Sequence, residues 1–297
     1  MKSSVIRLLL AAIFAAVFAV SAQAQSMAPG QIKAAKVEHQ VMKLVKGKAP
    51  VQLKDGDDLT ESDTVTTGKD SSAVLVFMNG SSVKLGPDSE LKIDEFKMDP
   101  LAVGTQVKMA GITDEPSTSV TQLNLSHGEL VGNVRKLHTG SAYTVKTPVG
   151  AAGIRGTTFR IVFIPDKDGK AFFTVSTAEG KIVMQGVTKE EISIPAGKEV
   201  VVTADVPSPG ASGSSTSSSG GSSGGGSSGG SAAIISVQTQ DIPPATTSTI
   251  TTAAGAITQI LQSTTFTQDT PVVSTTAVTQ NKGTQTNLDN TPGAGGK

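Results

Sequence analysis

The 297-residue chain contains no cysteine and no tryptophan, a single tyrosine, and only 3% aromatic residues in all. Without cysteine there is neither a disulfide framework nor an acylated lipoprotein cysteine. With so few rings, stacking of sugars or bases on exposed aromatic faces is a poor basis for function, although backbone and polar recognition stays open. An excess of charge of one sign is missing too, since Lys and Arg number 25 and Asp and Glu 25. That balance lacks the basic footprint of a nucleic-acid partner. The apolar run at residues 8–20 falls short of the ~20 residues that a membrane-spanning helix needs.

That run reads instead as the h-region of a signal peptide covering residues 1–24. Lys2 and Arg7 supply the basic n-region and Ala22-Gln23-Ala24 the small-residue cleavage site. Cleavage leaves 23 basic and 25 acidic side chains, a net charge of −2, and no transmembrane span. An exported chain without disulfides is held by its core alone, and residues 31–206 suffice for one domain with a sizeable core.

The predicted fold class is all-β. Val51-Gln52-Leu53-Lys54 and Leu91-Lys92-Ile93-Asp94 alternate with period two, as half-buried strands do. Residues 73–78, 159–164 and 181–184 are short apolar runs suited to strands buried on both faces. Asp55-Gly56, Asn79-Gly80 and Asp168-Gly169 are turn dipeptides. No long segment has a convincing helical period; residues 34–45 come nearest, but Val37, Val41 and Val45 also suit a first strand. Gly47, Gly56, Gly68 and Gly80 fall at spacings of 9, 12 and 12, which fits a sandwich, a barrel or a solenoid. Residues 97–121 break the rhythm with Pro100, Gly104, Gly111 and Pro116 and read as a loop or insertion on the rim.

A Gly/Ser-rich linker is expected over 207–231, where every residue from 210 onward is Gly, Ala, Ser or Thr; a random coil of that length has an end-to-end distance of roughly 26 Å. Residues 232–297 are rich in Thr, Ser and Gln, with apolar islands too few to bury a core. A largely disordered low-complexity tail is expected there, either solvated or engaged with envelope material.

Catalytic chemistry finds little footing. His39, His127 and His138 show no metal-ligand spacing, and His127 beside Ser126 on a strand points to the opposite face. Asp55-Gly56-Asp57-Asp58 and Asp166-Lys167-Asp168-Gly169 offer oxygens near turns but lack the EF-hand pattern. The segment Gly150 to Gly156 lacks the Gly-Lys-Ser/Thr ending of a phosphate loop, and no amphipathic helix follows. Arg155, set between glycines, suits an internal carboxylate or exposed carbonyls better than a bound anion. No enzyme, cofactor or metal site is expected.

In order, the motifs are Gly56-Asp57, Thr67-Gly68, Asn79-Gly80-Ser81, His127-Gly128-Glu129, Lys146-Thr147-Pro148, Gly153-Ile154-Arg155-Gly156-Thr157-Thr158-Phe159 and Glu179-Gly180. Over residues 35–202 this succession resembles the FecR-type domain of iron-transport signalling regulators. The resemblance implies a periplasmic or cell-surface β domain, and it favours a right-handed β-solenoid over the alternative β-sandwich. It also makes Gly56, Asp57, Gly68, Gly80, Ser81, Gly128, Thr147, Pro148, Gly153, Arg155, Gly156, Thr157, Phe159 and Gly180 a mainly structural signature. In the best-known members the domain relays a signal from an outer-membrane transporter, through a membrane helix, to a cytoplasmic sigma-factor-binding segment. Only seven residues precede the h-region here, so no such segment is expected.

The expected role is a non-catalytic, exported binding or scaffold module of the cell envelope. Its partner would be an envelope protein or a cell-wall or surface polymer, met by a strand edge or a solenoid face. A sensor engaging a separate envelope receptor and a structural surface or matrix component are the alternatives. Arg155 is the candidate partner contact, with the turn at residues 55–58 behind it. Nothing in the residues bears on oligomeric state.

Overall fold

Period-two burial runs along the strands. In Ser119–Asn133, residues Ser119, Thr121, Leu123 and Leu125 turn inward and their neighbours outward, whereas Ser72–Phe77 is buried throughout. The computed structural model describes residues 27–206 and 232–268. The signal peptide, the Gly/Ser linker and residues 269–297 lie outside the described residues.

The first half of the domain is built from β1 (Ala28–Pro29), β2 (Ile32–Glu38), β3 (Val41–Leu44), β4 (Val51–Gln52), β5 (Asp58–Leu59), β6 (Thr64–Thr67), β7 (Ser72–Phe77), β8 (Ser82–Leu85) and β9 (Ser89–Met98). After the short β10 (Gln106–Lys108) come the long strands β11 (Ser119–Asn133), β13 (Ala151–Pro165) and β14 (Lys170–Gln185), with β12 (Ala142–Lys146) between the first two. Then follow β15 (Ile192–Pro195), β16 (Lys198–Asp205), β17 (Ala233–Asp241), the helix α1 (Pro244–Leu261) and β18 (Thr265–Thr267).

Sixteen strands form one branched sheet whose main path runs β17-β16-β14-β13-β12-β11-β8-β7-β2-β5, while β10 and β18 form a separate pair. The protein is therefore mostly β, as composition and alternation imply. The solenoid is not shown. Stacked solenoid coils require parallel pairing between successive turns, but among the described strands only β11 and β12 pair in parallel, and the sheet path does not close. Most of the buried apolar residues form one cluster extending from Ile32 to Phe266. Within it Phe77 and Phe96 meet edge to face at 5.1 Å, an arrangement worth about 1 kcal/mol beyond area burial.

The long strands pass through glycines where two flat segments must join at an angle. In β11, residues 119–127 pair with β9, and 128–133 pair with β8 and β13. Gly128 stands at the change of partner with φ +100°, and a Cβ there would lie 2.0 Å from Ser89 Oγ. In the β13–β14 ladder Arg155 pairs with Lys181 and Thr158 with Glu179, so Gly156 and Thr157 bulge opposite Gly180. Gly180 is thus interior to one strand. Both glycines have positive φ, and a Cβ on Gly180 would sit 2.4 Å from the Gly156 carbonyl oxygen. Only a glycine opposite a bulge allows that approach.

The expectation of a largely disordered tail from residue 232 does not hold over 232–268. β17 extends the sheet beyond β16, pairing from Ala233 with Asp205 to Asp241 with Lys198. Helix α1 buries Ile250, Ala253, Ile257 and Leu261 along one stripe and packs against β8, β11 and β13. β18 pairs with β10 in the segment between β9 and β11, burying Phe266 completely. These residues are too few to make a core, but they complete one already present. The rim insertion and the C-terminal segment are two halves of one contact, with Met109 N–H donating to Thr264 O at 3.0 Å and Gly104 N–H to Gln268 O at 2.7 Å.

Two predictions follow from this packing. Protease should cut first within 207–231, and the released C-terminal piece should stay bound to the nicked domain on native gel filtration; its separation would show that β17, α1 and β18 do not dock. Gly180→Ala should lower stability by at least about 2 kcal/mol, from positive φ plus backbone collision. Gly197→Ala should cost only about 1 kcal/mol, because Gly197 shares the positive φ but has open space around it. Urea melts that shift equally for both would discount the collision.

Candidate functional site

Family-signature residues recur at turns. Gly56 follows Asp55 in a turn where Asp57 Oδ2 accepts the Lys54 N–H at 2.9 Å, while Asp55 Oδ1 accepts from Val37 N–H at 2.6 Å and Asp58 meets Lys33 at 2.9 Å. The four-residue acidic run is a turn whose carboxylates bind backbone and lysines. Asp166 caps its own turn in the same way, accepting the Lys167 N–H at 2.6 Å. Gly68 N–H donates to Gln40 O at 2.9 Å. Thr147 and Pro148 form the turn between β12 and β13, where Thr147 N–H donates to Gly150 O at 2.8 Å. Gly153 pairs with Thr144 and Val183 inside the sheet.

Ser81, next to Gly80, belongs to a buried polar chain that sequence reasoning did not find. Ser81 Oγ donates to Asn79 Oδ1 at 2.6 Å, and Asn79 Nδ2 donates to Ser119 Oγ at 3.0 Å. Ser119 Oγ in turn donates to Glu115 Oε2 at 2.8 Å. The other Glu115 oxygen accepts from the His138 N–H and the Ser141 hydroxyl. Glu115 is 2% exposed, and its charge is met by hydrogen bonds alone. Its backbone N–H also donates to Lys136 O at 3.1 Å, which ties the insertion to the segment after β11. The signal for it, a glutamate inside a loop of Gly, Pro and Thr, is indistinguishable in sequence from a solvated residue.

The signature around Gly156 is brought together in space. Phe159 is fully buried and lies over Gly132, where a Cβ would approach the ring to 2.4 Å. Thr157, carried by the bulge, turns its carbonyl away from β14 to accept the Val134 N–H at 2.9 Å. Arg155 is exposed, and Nη2 donates to the His138 carbonyl at 3.2 Å, the carbonyl-capping role expected of it. Below the bulge lies a polar cleft of about 360 Å³ walled by Asn133, Arg135, Lys136, Arg155, Thr157 and Glu179. Asn133 Nδ2 donates to Thr158 Oγ1 at 2.9 Å, and that hydroxyl donates to Glu179 Oε2 at 3.0 Å. Burial pushes the Arg135 guanidinium below its ordinary range. Arg135 did not emerge from the motifs because it lies outside the Gly-rich signature and is brought to it only by the fold, beside the Val134 N–H bond to Thr157 O.

No group of three or more His, Asp or Glu side chains able to hold a metal occurs among the described residues. The ring of His39 meets the Asp70 carbonyl, and the backbone N–H of His138 is held by Glu115.

Replacing Glu115 by Ala should destabilise the domain by about 3 kcal/mol, since it strands two hydroxyls and a backbone N–H in a buried place. Glu115→Gln should lose less, as the serine hydroxyls can reverse to meet an amide. Equal urea midpoints for Glu115→Ala and the parent would remove Glu115 as the tie.

Comparison with known proteins now bears on this geometry. No curated protein matches the chain. Among solved structures, two crystal structures of a proposed anti-sigma factor from Parabacteroides distasonis are similar to it at 14% identity, with TM-scores of 0.34 and 0.35. Each alignment covers 47% of this chain and 54% of the other, so the chain spans about half the length of the structures it matches. The family model for FecR protein matches residues 63–183, a stretch that runs from the strand leading into Gly68 to the bulge at Gly180, and this chain accordingly carries a FecR domain.

Proposed function

We propose that the chain is an exported signalling regulator of the FecR type, which acts by binding another protein of the cell envelope along an open sheet edge. Regulation, not catalysis, is the work of the family whose model it matches. The reading of residues 1–24 as a signal peptide supports export, and among the described residues no helix is long and apolar enough to cross a membrane.

The observation that carries the proposal is β17. It ends the main path of the sheet and pairs only with β16 among the described strands, leaving one side of a nine-residue strand without a neighbour. Sheet edges are ordinarily guarded by Lys, Pro or short length. From Ala233 to Gln240 there is no charge and no proline, and one bulge opposite Thr203/Ala204 leaves Ile235 54% exposed. Such an edge accepts an extended segment from a partner through main-chain hydrogen bonds, with alternate side chains reading the sequence. A strand edge was one of the two contact modes anticipated from sequence; the strand that supplies it lies in the region expected to be a tail.

A photocrosslinking residue at Gln238, on the edge, tests this in cells. It should yield one stoichiometric adduct with an envelope protein, identified by mass spectrometry, while the same probe at exposed Lys189 should not. Adducts only with further copies of the chain, or with wall polymer, would overturn the regulator reading in favour of a structural matrix component.

A further inference from the structure

The cleft below the Gly156 bulge is walled by residues whose polar atoms the fold leaves unpaired. Six buried side-chain nitrogen or oxygen atoms among the described residues have no hydrogen-bond partner, and three of them, Asn133 Oδ1, Arg135 Nε and Thr157 Oγ1, belong to residues that wall this one cleft. Thr157 is 2% exposed, and its hydroxyl has no hydrogen-bond partner among the described residues. Buried polar groups are almost always paired, and leaving one unpaired costs about 1–3 kcal/mol. Three such groups on residues around one cleft mark it as a place where a bound molecule has polar partners to gain.

From these positions the geometry points to a binding site for a carboxylate that carries a hydrogen-bond donor beside it, as an Asp or Glu residue of a peptide does with its own backbone N–H. Arg135 supplies a half-buried guanidinium fork with no ion-pair partner among the described residues, and forks match carboxylates in two-point fashion. Its stem packs against Gly80, so the head is held and loses little freedom on binding. Lys136 and Arg155 add positive charge at the rim. Against these stand the carboxylates of Glu179 in the cleft wall and Asp114, 3.8 Å from Lys136. The balance is one net positive charge, which suits a singly charged carboxylate and opposes a phosphate dianion. Thr157 Oγ1 donates to or accepts from the ligand, whereas Asn133 Oδ1 only accepts. The bare carboxylate leaves that oxygen unmet; an adjacent N–H satisfies it. This site is separate from the β17 edge and stands whether or not the edge binds a partner.

The test uses the ¹⁵N-labelled chain and the arginine Nε–H resonances. The sequence has only four arginines, Arg7, Arg135, Arg155 and Arg160, and Arg160 Nε is already held by Glu129 Oε1 at 2.7 Å, an internal control. Titration with N-acetyl-aspartate methylamide should shift the Arg135 signal saturably, leave Arg160 in place, and bind about tenfold tighter than acetate. Thr157→Val, which keeps the side-chain shape, and Arg155→Gln should each weaken the peptide probe by about threefold to tenfold, with thermal melts checking that both variants fold. Absence of a saturable shift would overturn the site. So would undiminished binding by both folded variants. Inorganic phosphate binding more tightly than the carboxylates, or acetate equalling the peptide probe, would overturn the ligand assigned.

Discussion

The close approach of Gly156 and Gly180 is the constraint on which the domain turns. β13 and β14 are 15 and 16 residues long, beyond the ordinary length of a strand in a globular protein. Strands of that length have to bend to stay on one core. Placing the bulge at Gly156-Thr157 opposite Gly180 lets the halves of the hairpin serve different neighbours: Ala151 to Gly153 lie with β12, and Thr158 to Phe163 with β11. The same displacement drives Thr157 inward and leaves Arg155 outside, capping His138. One backbone contact thereby sets both the path of the sheet and the shape of the cleft beside it.

Much of this was legible because glycine and alternation report directly on backbone shape. Phe77 in an unbroken apolar run, Leu91 and Ile93 two apart, and the Asp-Gly and Asn-Gly dipeptides each point to one local conformation, and the structure adopts it. The bulge was legible only as a motif. Glu179-Gly180 looks like a turn dipeptide and is the inside of a strand, since what separates the two is the partner opposite, and single-sequence reading holds no partners. Solenoid layering failed for the same reason, because regular glycine spacing records where corners fall and not whether the next strand runs parallel or antiparallel.

The C-terminal segment was hidden by composition. Helix α1 is rich in β-branched Thr, poorly disposed to helix, and begins at Pro244 without a side-chain cap. Its four buried residues, Ile250, Ala253, Ile257 and Leu261, recur at helical spacing, yet so thin a stripe has no core of its own. Its stability is borrowed from β8, β11 and β13. β18 is three residues long and depends on β10, itself three residues in a Gly- and Pro-rich insertion. Neither strand carries a signal alone, and the two are separated by more than half the chain. Mutual dependence of that kind is invisible until both partners are placed.

Polar satisfaction separates the structural parts from the functional ones. Around Glu115 a buried carboxylate has every neighbouring donor aimed at it, and the insertion is fastened to the domain as a result. Next to Lys136, whose backbone carbonyl accepts from Glu115, Arg135 is half-buried with no ion-pair partner among the described residues. Both lie at the same loop junction, Glu115 buried and Arg135 half-buried. A fold that satisfies Glu115 so fully has the means to pair Arg135, and a single acidic side chain in the cleft wall would do it. Glu179 stands in that wall, but its Oε2 is engaged by Thr158, and it makes no ion pair with Arg135. Among the described residues the guanidinium makes no ion pair with the carboxylate that walls its cleft, which is the arrangement that keeps a cation free for a carboxylate from outside.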